Sequence, residues 1–241
     1  MPTISRTVTI ATTRLGLAVI AAALSIFATA HLSAVFAAAE KAAPTMTPDQ
    51  ALARLIEGNQ RFQHDASGHP HLHAKRRSEL VGGQAPFAAI LSCSDSRVPP
   101  ELIFDQGLGD LFVVRVAGNT VTRAGLESID YAVSHLGTDL IMVLGHESCG
   151  AVKGALSECV GKPAAGLPEI FANICPAVDQ ARKKGGDKLD SIAIDLNVAE
   201  QVKKLERAPE FKQRVADGSL KIVGARYNLE SGKVELVGSG E

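Results

Sequence analysis

The stretch Asp139-Leu-Ile-Met-Val-Leu-Gly-His-Glu-Ser-Cys-Gly150 decides the architecture of this 241-residue chain. Residues 139–144 are a short, continuous apolar run of the kind that forms a buried strand. His146 and Cys149 follow this run, and a helix is predicted for residues 151–157. Two side chains that can bind a metal therefore lie just past the end of a predicted strand.

Two further apolar runs, residues 87–92 and 111–117, also predict buried strands. Between the predicted strands at residues 111–117 and 139–144, residues 123–136 have helical spacing. Strands that alternate with helices indicate a parallel sheet with crossover helices. Later helices are predicted at residues 167–183, 189–205 and 209–215, and a hairpin at residues 220–237. The predicted fold is α/β: a central, mostly parallel sheet flanked by helices, with an N-terminal helical arm and a C-terminal hairpin.

The N-terminal arm begins at a capping box, Thr47-Pro48-Asp49-Gln50. Threonine is a good N-cap, proline suits the first helical position, and glutamine lies three residues after the cap. The glycine-asparagine pair at residues 58–59 predicts the end of this helix. A polar, histidine-rich loop is expected from residue 64 to residue 73.

Residues 1–39 have the pattern of a secretory signal peptide. Arg6 and Arg14 are the charged residues of this stretch, an apolar run covers residues 15–30, and small residues precede Glu40. We expect cleavage, an exported or periplasmic location, and a mature chain without a membrane segment, although an uncleaved anchor is the alternative. Residues 40–241 then have a length that suits a single domain. The formal net charge of −1 gives no sign of the basic patch that nucleic-acid binding requires, so we expect no nucleic acid partner.

Cys93, His146 and Cys149 form the predicted metal site. Cys93 also follows an apolar run, and ligands of open α/β sheets bind outside the carboxyl ends of the strands. Thiolates and imidazole select zinc over calcium or magnesium. Three protein ligands leave one position open, which is typical of a catalytic site rather than a structural one. The sequence therefore predicts one catalytic Zn²⁺ per chain.

Asp95 and Arg97 are the predicted catalytic pair beside this metal. Cys93, Asp95 and Arg97 are spaced by two residues, so in an extended segment they would project from one side. Asp95 can accept a hydrogen bond from a zinc-bound hydroxide. Arg97 can keep that carboxylate ionised and away from the metal.

The two remaining cysteines, Cys159 and Cys175, allow two interpretations. In an oxidising compartment they could form a disulfide worth about 3 kcal/mol in the chain-entropy model. They could equally be two buried, reduced thiols.

Four motifs resemble the β-carbonic anhydrase family, and weaker likeness extends over essentially the whole predicted mature chain. They are Cys93-Ser-Asp-Ser-Arg-Val-Pro99, the segment from Phe112 to Asn119, Ile129-Asp-Tyr-Ala-Val133, and Gly145-His-x-x-Cys-Gly150. The resemblance implies reversible hydration of CO2 to bicarbonate and a proton. It also implies a substrate pocket lined by Gln84, Phe112, Tyr131 and Gly150, built across the interface of a homodimer or a dimer of dimers.

Some positions depart from the family pattern. Ile90 stands where members with a regulatory bicarbonate site have tryptophan, so we expect no such regulation. Two other functions stay open at this point. A relative with the same fold hydrolyses CS2 or COS, and the zinc ligands alone do not separate these substrates. A non-catalytic exported zinc-binding protein is the other alternative, although metal storage needs neither Asp95, Arg97 nor Gln84.

Overall fold

The computed structural model describes residues 46–161 and 168–238, so the predicted signal peptide lies outside the described residues. This part of the chain alternates strands and helices, as predicted. The strands are β1 (Ala88–Ser92), β2 (Leu111–Arg115), β3 (Leu140–His146), β4 (Lys221–Tyr227) and β5 (Val234–Val237). The helices are α1 (Pro48–Gln63), α2 (Ala74–Leu80), α3 (Pro100–Ile103), α4 (Arg123–His135), α5 (Gly150–Glu158), α6 (Glu169–Lys184), α7 (Leu189–Arg207) and α8 (Pro209–Ala216), with a 3₁₀ turn at Ala117–Asn119.

The strands form one sheet in the order β2-β1-β3-β4-β5. The first four are parallel, and β5 returns antiparallel to β4 as the predicted hairpin. Ser92 of β1 is in register with Leu144 of β3. The carboxyl ends of β1 and β3 are therefore neighbours, and the residues that follow them meet at one edge of the sheet.

Helices cover both faces of the sheet. Alternate residues of a strand point to opposite faces, so Ile90 packs in the apolar cluster that includes Ile174 of α6, and Leu91 packs in the cluster that includes Ile129 of α4. Helix α1 joins the first cluster through Ala51 and Leu55. Among the described residues, we find no helix that combines the length and the apolar character needed to cross a bilayer.

The start of α1 is confirmed, and its predicted end is wrong. Both hydrogen bonds of the capping box at Thr47 are present. The helix continues to Gln63, five residues beyond Gly58. A Cβ atom on Gly58 would lie 1.8 Å from the carbonyl oxygen of Phe104. This glycine therefore permits a close approach between two chain segments and does not cap the helix.

A disulfide joins Cys159 and Cys175, with their Cα atoms 5.6 Å apart. Cys159 is the C-terminal cap of α5, and Cys175 lies within α6. Of the two interpretations that the sequence left open, the structure selects the disulfide. It ties together the two helices that pack beside the carboxyl edge of the sheet.

Candidate active site and metal centre

Cys93, His146 and Cys149 converge at the carboxyl edge of the sheet. Cys93 follows β1, His146 is the last residue of β3, and Cys149 precedes α5. Their sulfur and nitrogen atoms all lie within 4.8 Å of one another, and all three residues are buried. The three predicted metal ligands therefore come from three separate chain segments. Among the described residues, no other group of His, Cys, Asp and Glu side chains has spacing suited to a metal ion.

The turn between β3 and α5 brings Cys149 back against His146. Ser148 adopts a left-handed conformation with φ 52°, and the Glu147 N–H donates to the Tyr227 carbonyl over 3.0 Å. These two features fold the Glu147-Ser148 pair outward and anchor it to β4.

The imidazole of His146 fits a metal ligand. Its Nδ1 lies 2.8 Å from the Glu147 carbonyl oxygen, which assigns the proton to Nδ1 and leaves a lone pair on Nε2. Nε2 is buried and has no hydrogen-bond partner among the described residues. A buried ring nitrogen normally has a partner, and Nε2 faces two thiols. The residues present therefore fit a zinc ion.

Backbone N–H groups surround both sulfur atoms. The Gly118 N–H donates to Cys93 Sγ over 3.3 Å, and the N–H groups of Ala151 and Val152 at the start of α5 face Cys149 Sγ. The hydrogen bond from the Cys149 thiol lowers the pKa of Cys93, and the same contact raises the pKa of Cys149. The pair loses its first proton readily, and a dication offsets the repulsion that opposes loss of the second.

Asp95 and Arg97 form a bidentate ion pair at the mouth of this cluster. The two bonds from the guanidinium of Arg97 to the carboxylate measure 2.9 and 2.7 Å. Asp95 Oδ2 lies 3.9 Å from His146 Nε2. The hydrogen bonds from Arg97 hold the pKa of Asp95 well below its usual range. The carboxylate is therefore ionised, and its oxygens are occupied by arginine.

The expectation that Cys93, Asp95 and Arg97 lie on an extended segment is wrong. The Arg97 N–H donates to Asp95 Oδ1 over 3.0 Å, and the Val98 N–H donates to the Asp95 carbonyl over 3.1 Å. Aspartate favours such turns because its side chain bonds the backbone two residues on. The turn, rather than strand alternation, brings the guanidinium of Arg97 onto the carboxylate.

Arg115 supports the site, and sequence reasoning assigned it no role. Its Nε donates to the Cys93 carbonyl over 3.0 Å, and its guanidinium also donates to the Asp95 carbonyl. Arg115 ends β2, in register with Ser92 at the end of β1. A charged residue at the end of an apolar run was the signal that could have pointed to this contact.

The predicted substrate residues do not all gather at this cluster. Gly150 begins α5 beside Cys149, and a Cβ on it would meet only open space. Phe112 is in register with Ala89, four residues before Cys93, which corresponds to about 13 Å along a strand. Its ring centroid is 6.3 Å from that of the exposed Tyr131.

Gln84 lies four residues before β1, at the amino edge of the sheet. It lines a groove of about 610 Å³ together with residues that include Leu80 and Leu108. Gln84, Phe112 and Tyr131 thus lie at the end of the sheet opposite to the zinc ligands of their own chain. Strand direction explains the separation, because parallel strands bring like ends together.

A mostly parallel α/β sheet with an open Cys-His-Cys site at its carboxyl edge defines a class of zinc metalloenzymes. The family model described as carbonic anhydrase matches residues 88–234. Carbonic anhydrase 2 of Mycobacterium tuberculosis is 42% identical over 196 residues, which cover 80% of this chain and 94% of that protein. The carbonic anhydrase of Mycolicibacterium smegmatis is also 42% identical, with coverage of 80% and 95%.

Solved structures agree with the sequence comparisons. The β-carbonic anhydrase CcaA aligns with a TM-score of 0.60 and 32% identity, over 77% of this chain and 94% of its own. One of two tetrameric β-carbonic anhydrases from Sordaria macrospora aligns with a TM-score of 0.58 and 27% identity, over 79% and 98%. The chain belongs to the β-carbonic anhydrase family.

Proposed function

We propose that this protein catalyses the reversible hydration of CO2 to bicarbonate and a proton. One observation carries the proposal. Two thiols lie within 4.8 Å of an imidazole nitrogen that has no hydrogen-bond partner in the described part of the chain, and Arg97 binds the neighbouring carboxylate of Asp95. The donor set leaves one zinc position open, as a hydrolytic or hydrating enzyme requires and a storage protein does not.

Cys93, His146 and Cys149 would hold the zinc. When bound, zinc would acidify a water molecule and so supply the nucleophile. Asp95 Oδ2 is the carboxylate oxygen nearer to His146, and it can accept a hydrogen bond from the attacking water and orient its lone pair toward CO2. The bonds from Arg97 keep Asp95 ionised and hold its Oδ2 at 3.9 Å from His146 Nε2.

We also propose that a homodimer, alone or as part of a dimer of dimers, completes the substrate pocket. Gln84, Phe112 and Tyr131 are too far from the zinc ligands of their own chain to contact the same substrate, since about 13 Å of strand intervenes. A second copy could present these residues to the first. The exposed ring of Tyr131 and the partly exposed edge strand β2 support a contact on this side.

An active-site complementation experiment tests the shared pocket. Gln84→Ala and Asp95→Asn are expected to be weakly active as separate homodimers. In a mixed dimer, one of the two sites receives an intact Asp95 from one chain and an intact Gln84 from the other. Recovery of activity on co-expression supports the shared pocket, and mixed dimers that stay as weak as the parents contradict it.

The reaction itself is tested by stopped-flow CO2 hydration, with the zinc content measured in the same sample. We expect fast hydration with about one zinc per chain. COS and CS2 hydrolysis are measured in parallel. Zinc at that stoichiometry with COS or CS2 hydrolysis and no CO2 hydration would overturn the proposal, as would a zinc-loaded protein inactive on all three substrates.

We further propose export through the signal peptide at residues 1–39. The disulfide between Cys159 and Cys175 supports an oxidising compartment, because glutathione and thioredoxin keep most cytosolic thiols reduced. Cell fractionation and N-terminal sequencing of the native protein test this proposal. A mature N-terminus near residue 40 in the exported fraction is expected, and an intact N-terminus in the cytosol would contradict it.

A further inference from the structure

Two amide side chains are buried on the face of α7 that packs inward. Asn197 is 1% exposed and Gln201 is fully buried, whereas the neighbouring inward positions are apolar, including Val198 and Val202. Burying an amide costs free energy unless its polar atoms are hydrogen-bonded. The bonds that these two residues make are therefore informative.

Both amides bond to the loop that follows β2. Asn197 Nδ2 donates to the Gly118 carbonyl over 2.8 Å, and Gln201 Oε1 accepts from the Val121 N–H over 2.9 Å. Gln201 Nε2 in turn donates to Asn197 Oδ1 over 3.0 Å. The two side chains thus act as one unit that holds both ends of the segment from residue 118 to residue 121.

The near side of this loop contacts the metal site. The Gly118 N–H donates to Cys93 Sγ over 3.3 Å, while the Gly118 carbonyl accepts from Asn197. Gly118 has φ 68° and ψ 22°, a left-handed conformation that glycine adopts without strain. A Cβ on Gly118 would lie 2.7 Å from Ile174 Cδ1, so α6 closes the remaining side of the loop.

We infer that Asn197 is a positioning residue for the zinc ligand Cys93. It holds the Gly118 carbonyl, and this anchor aims the Gly118 N–H at the sulfur. A hydrogen bond to a charged acceptor is stronger than one between neutral groups, and partners of metal ligands orient those ligands and tune the metal. The inference rests on the proposed zinc site, and it adds a residue some distance along the chain from every motif named above.

Asn197→Ala tests this inference, with Gln180→Ala as the matched control. Gln180 also makes an amide hydrogen bond between α6 and α7, to Glu200 over 3.0 Å, and it does not bond to the loop at Gly118. The readouts are zinc release to a chelator and the thiolate-to-metal absorption band of the cadmium-substituted protein. Both report on the thiolates and neither requires CO2 hydration.

We expect Asn197→Ala to lose zinc affinity by about 10- to 100-fold, the range for loss of a residue that supports a metal ligand, and to shift the cadmium band. Gln180→Ala should match the wild type in both. Wild-type affinity and an unchanged band in Asn197→Ala would overturn the inference. Asn197→Ser keeps a small polar group in the space that the asparagine side chain vacates. It is measured alongside in case the alanine variant does not fold.

The outcome separates this inference from the proposed function. A wild type that binds cadmium through thiolates but does not hydrate CO2 would overturn the proposed function, and the comparison of variants would still decide the role of Asn197. A wild type that takes up no metal would overturn both.

Discussion

Replacing Arg97 with alanine tests how the site is kept open. Asp95 Oδ2 lies 3.9 Å from His146 Nε2, whereas two nitrogen or oxygen ligands on a tetrahedral zinc lie roughly 3.4 Å apart at the usual bond lengths of about 2.0–2.1 Å. A shift of about 0.5 Å would therefore suffice for the carboxylate to approach the fourth position. The two bonds from Arg97, at 2.9 and 2.7 Å, oppose that shift.

We expect Arg97→Ala to retain zinc and to lose CO2 hydration by about tenfold or more, as is typical when a residue supporting a metal site is removed. Hydration is measured by stopped flow. Occupation of the fourth position is measured by azide titration of the visible spectrum of the cobalt-substituted protein, since azide needs an open position. Azide affinity should fall along with activity, because the freed Asp95 competes for the metal.

Two further variants give this experiment its controls. Arg123→Ala removes an arginine from an exposed pair with Glu127, whose side chains are 91% and 65% exposed, and should behave as wild type. Adding Asp95→Asn to Arg97→Ala removes the competing carboxylate, so azide binding should return while hydration stays low. If Arg97→Ala hydrates CO2 at the wild-type rate with unchanged azide affinity, Arg97 does not keep the site open.

Three more predictions concern the scaffold. Cys175→Ser should lower the free energy of unfolding in urea by about 3 kcal/mol, because the disulfide closes a loop with a sequence separation of 16. A free energy of unfolding that is unchanged within error would contradict this prediction. Burial opposes ionisation of Asp105, but bonds from Arg61 and two backbone N–H groups outweigh it and lower its pKa. Ionised Asp105 therefore stabilises the fold above the unfolded pKa of about 3.9, and this contribution is lost as pH falls from that value through the lowered folded pKa. Asp105→Asn should be less stable than the wild type at pH 7 and should lose less stability on acidification. Urea titrations in which both proteins lose equal free energy of unfolding on acidification would contradict this. In Gly145→Ala the new Cβ would lie 2.5 Å from Val198 Cγ2. This overpacking should lower the free energy of unfolding by about 1–3 kcal/mol and reduce the amount of bound zinc. Unchanged stability and zinc content would show that α7 can move aside.

Local patterns in the sequence were sufficient for the architecture and the donor set. Apolar runs of four to eight residues predict strands because a buried strand needs apolar side chains on both faces. The capping box at Thr47 predicts a helix start because its partners lie within four residues. The ligands Cys93 and His146 follow from the same reasoning, since parallel strands bring their carboxyl ends to one edge of the sheet.

The tertiary structure decided the contacts between segments that are distant along the chain. The sequence pattern at Gly58 predicts a helix end. In the structure the carbonyl oxygen of Phe104 lies so close to Gly58 that only a residue without a Cβ fits. The pairing of Cys159 with Cys175 depended on a Cα separation that spacing does not encode. Asn197 had no local signal beyond an amide on an apolar helix face. Its contact with Gly118 spans 79 residues, and only packing of the whole chain sets such a distance.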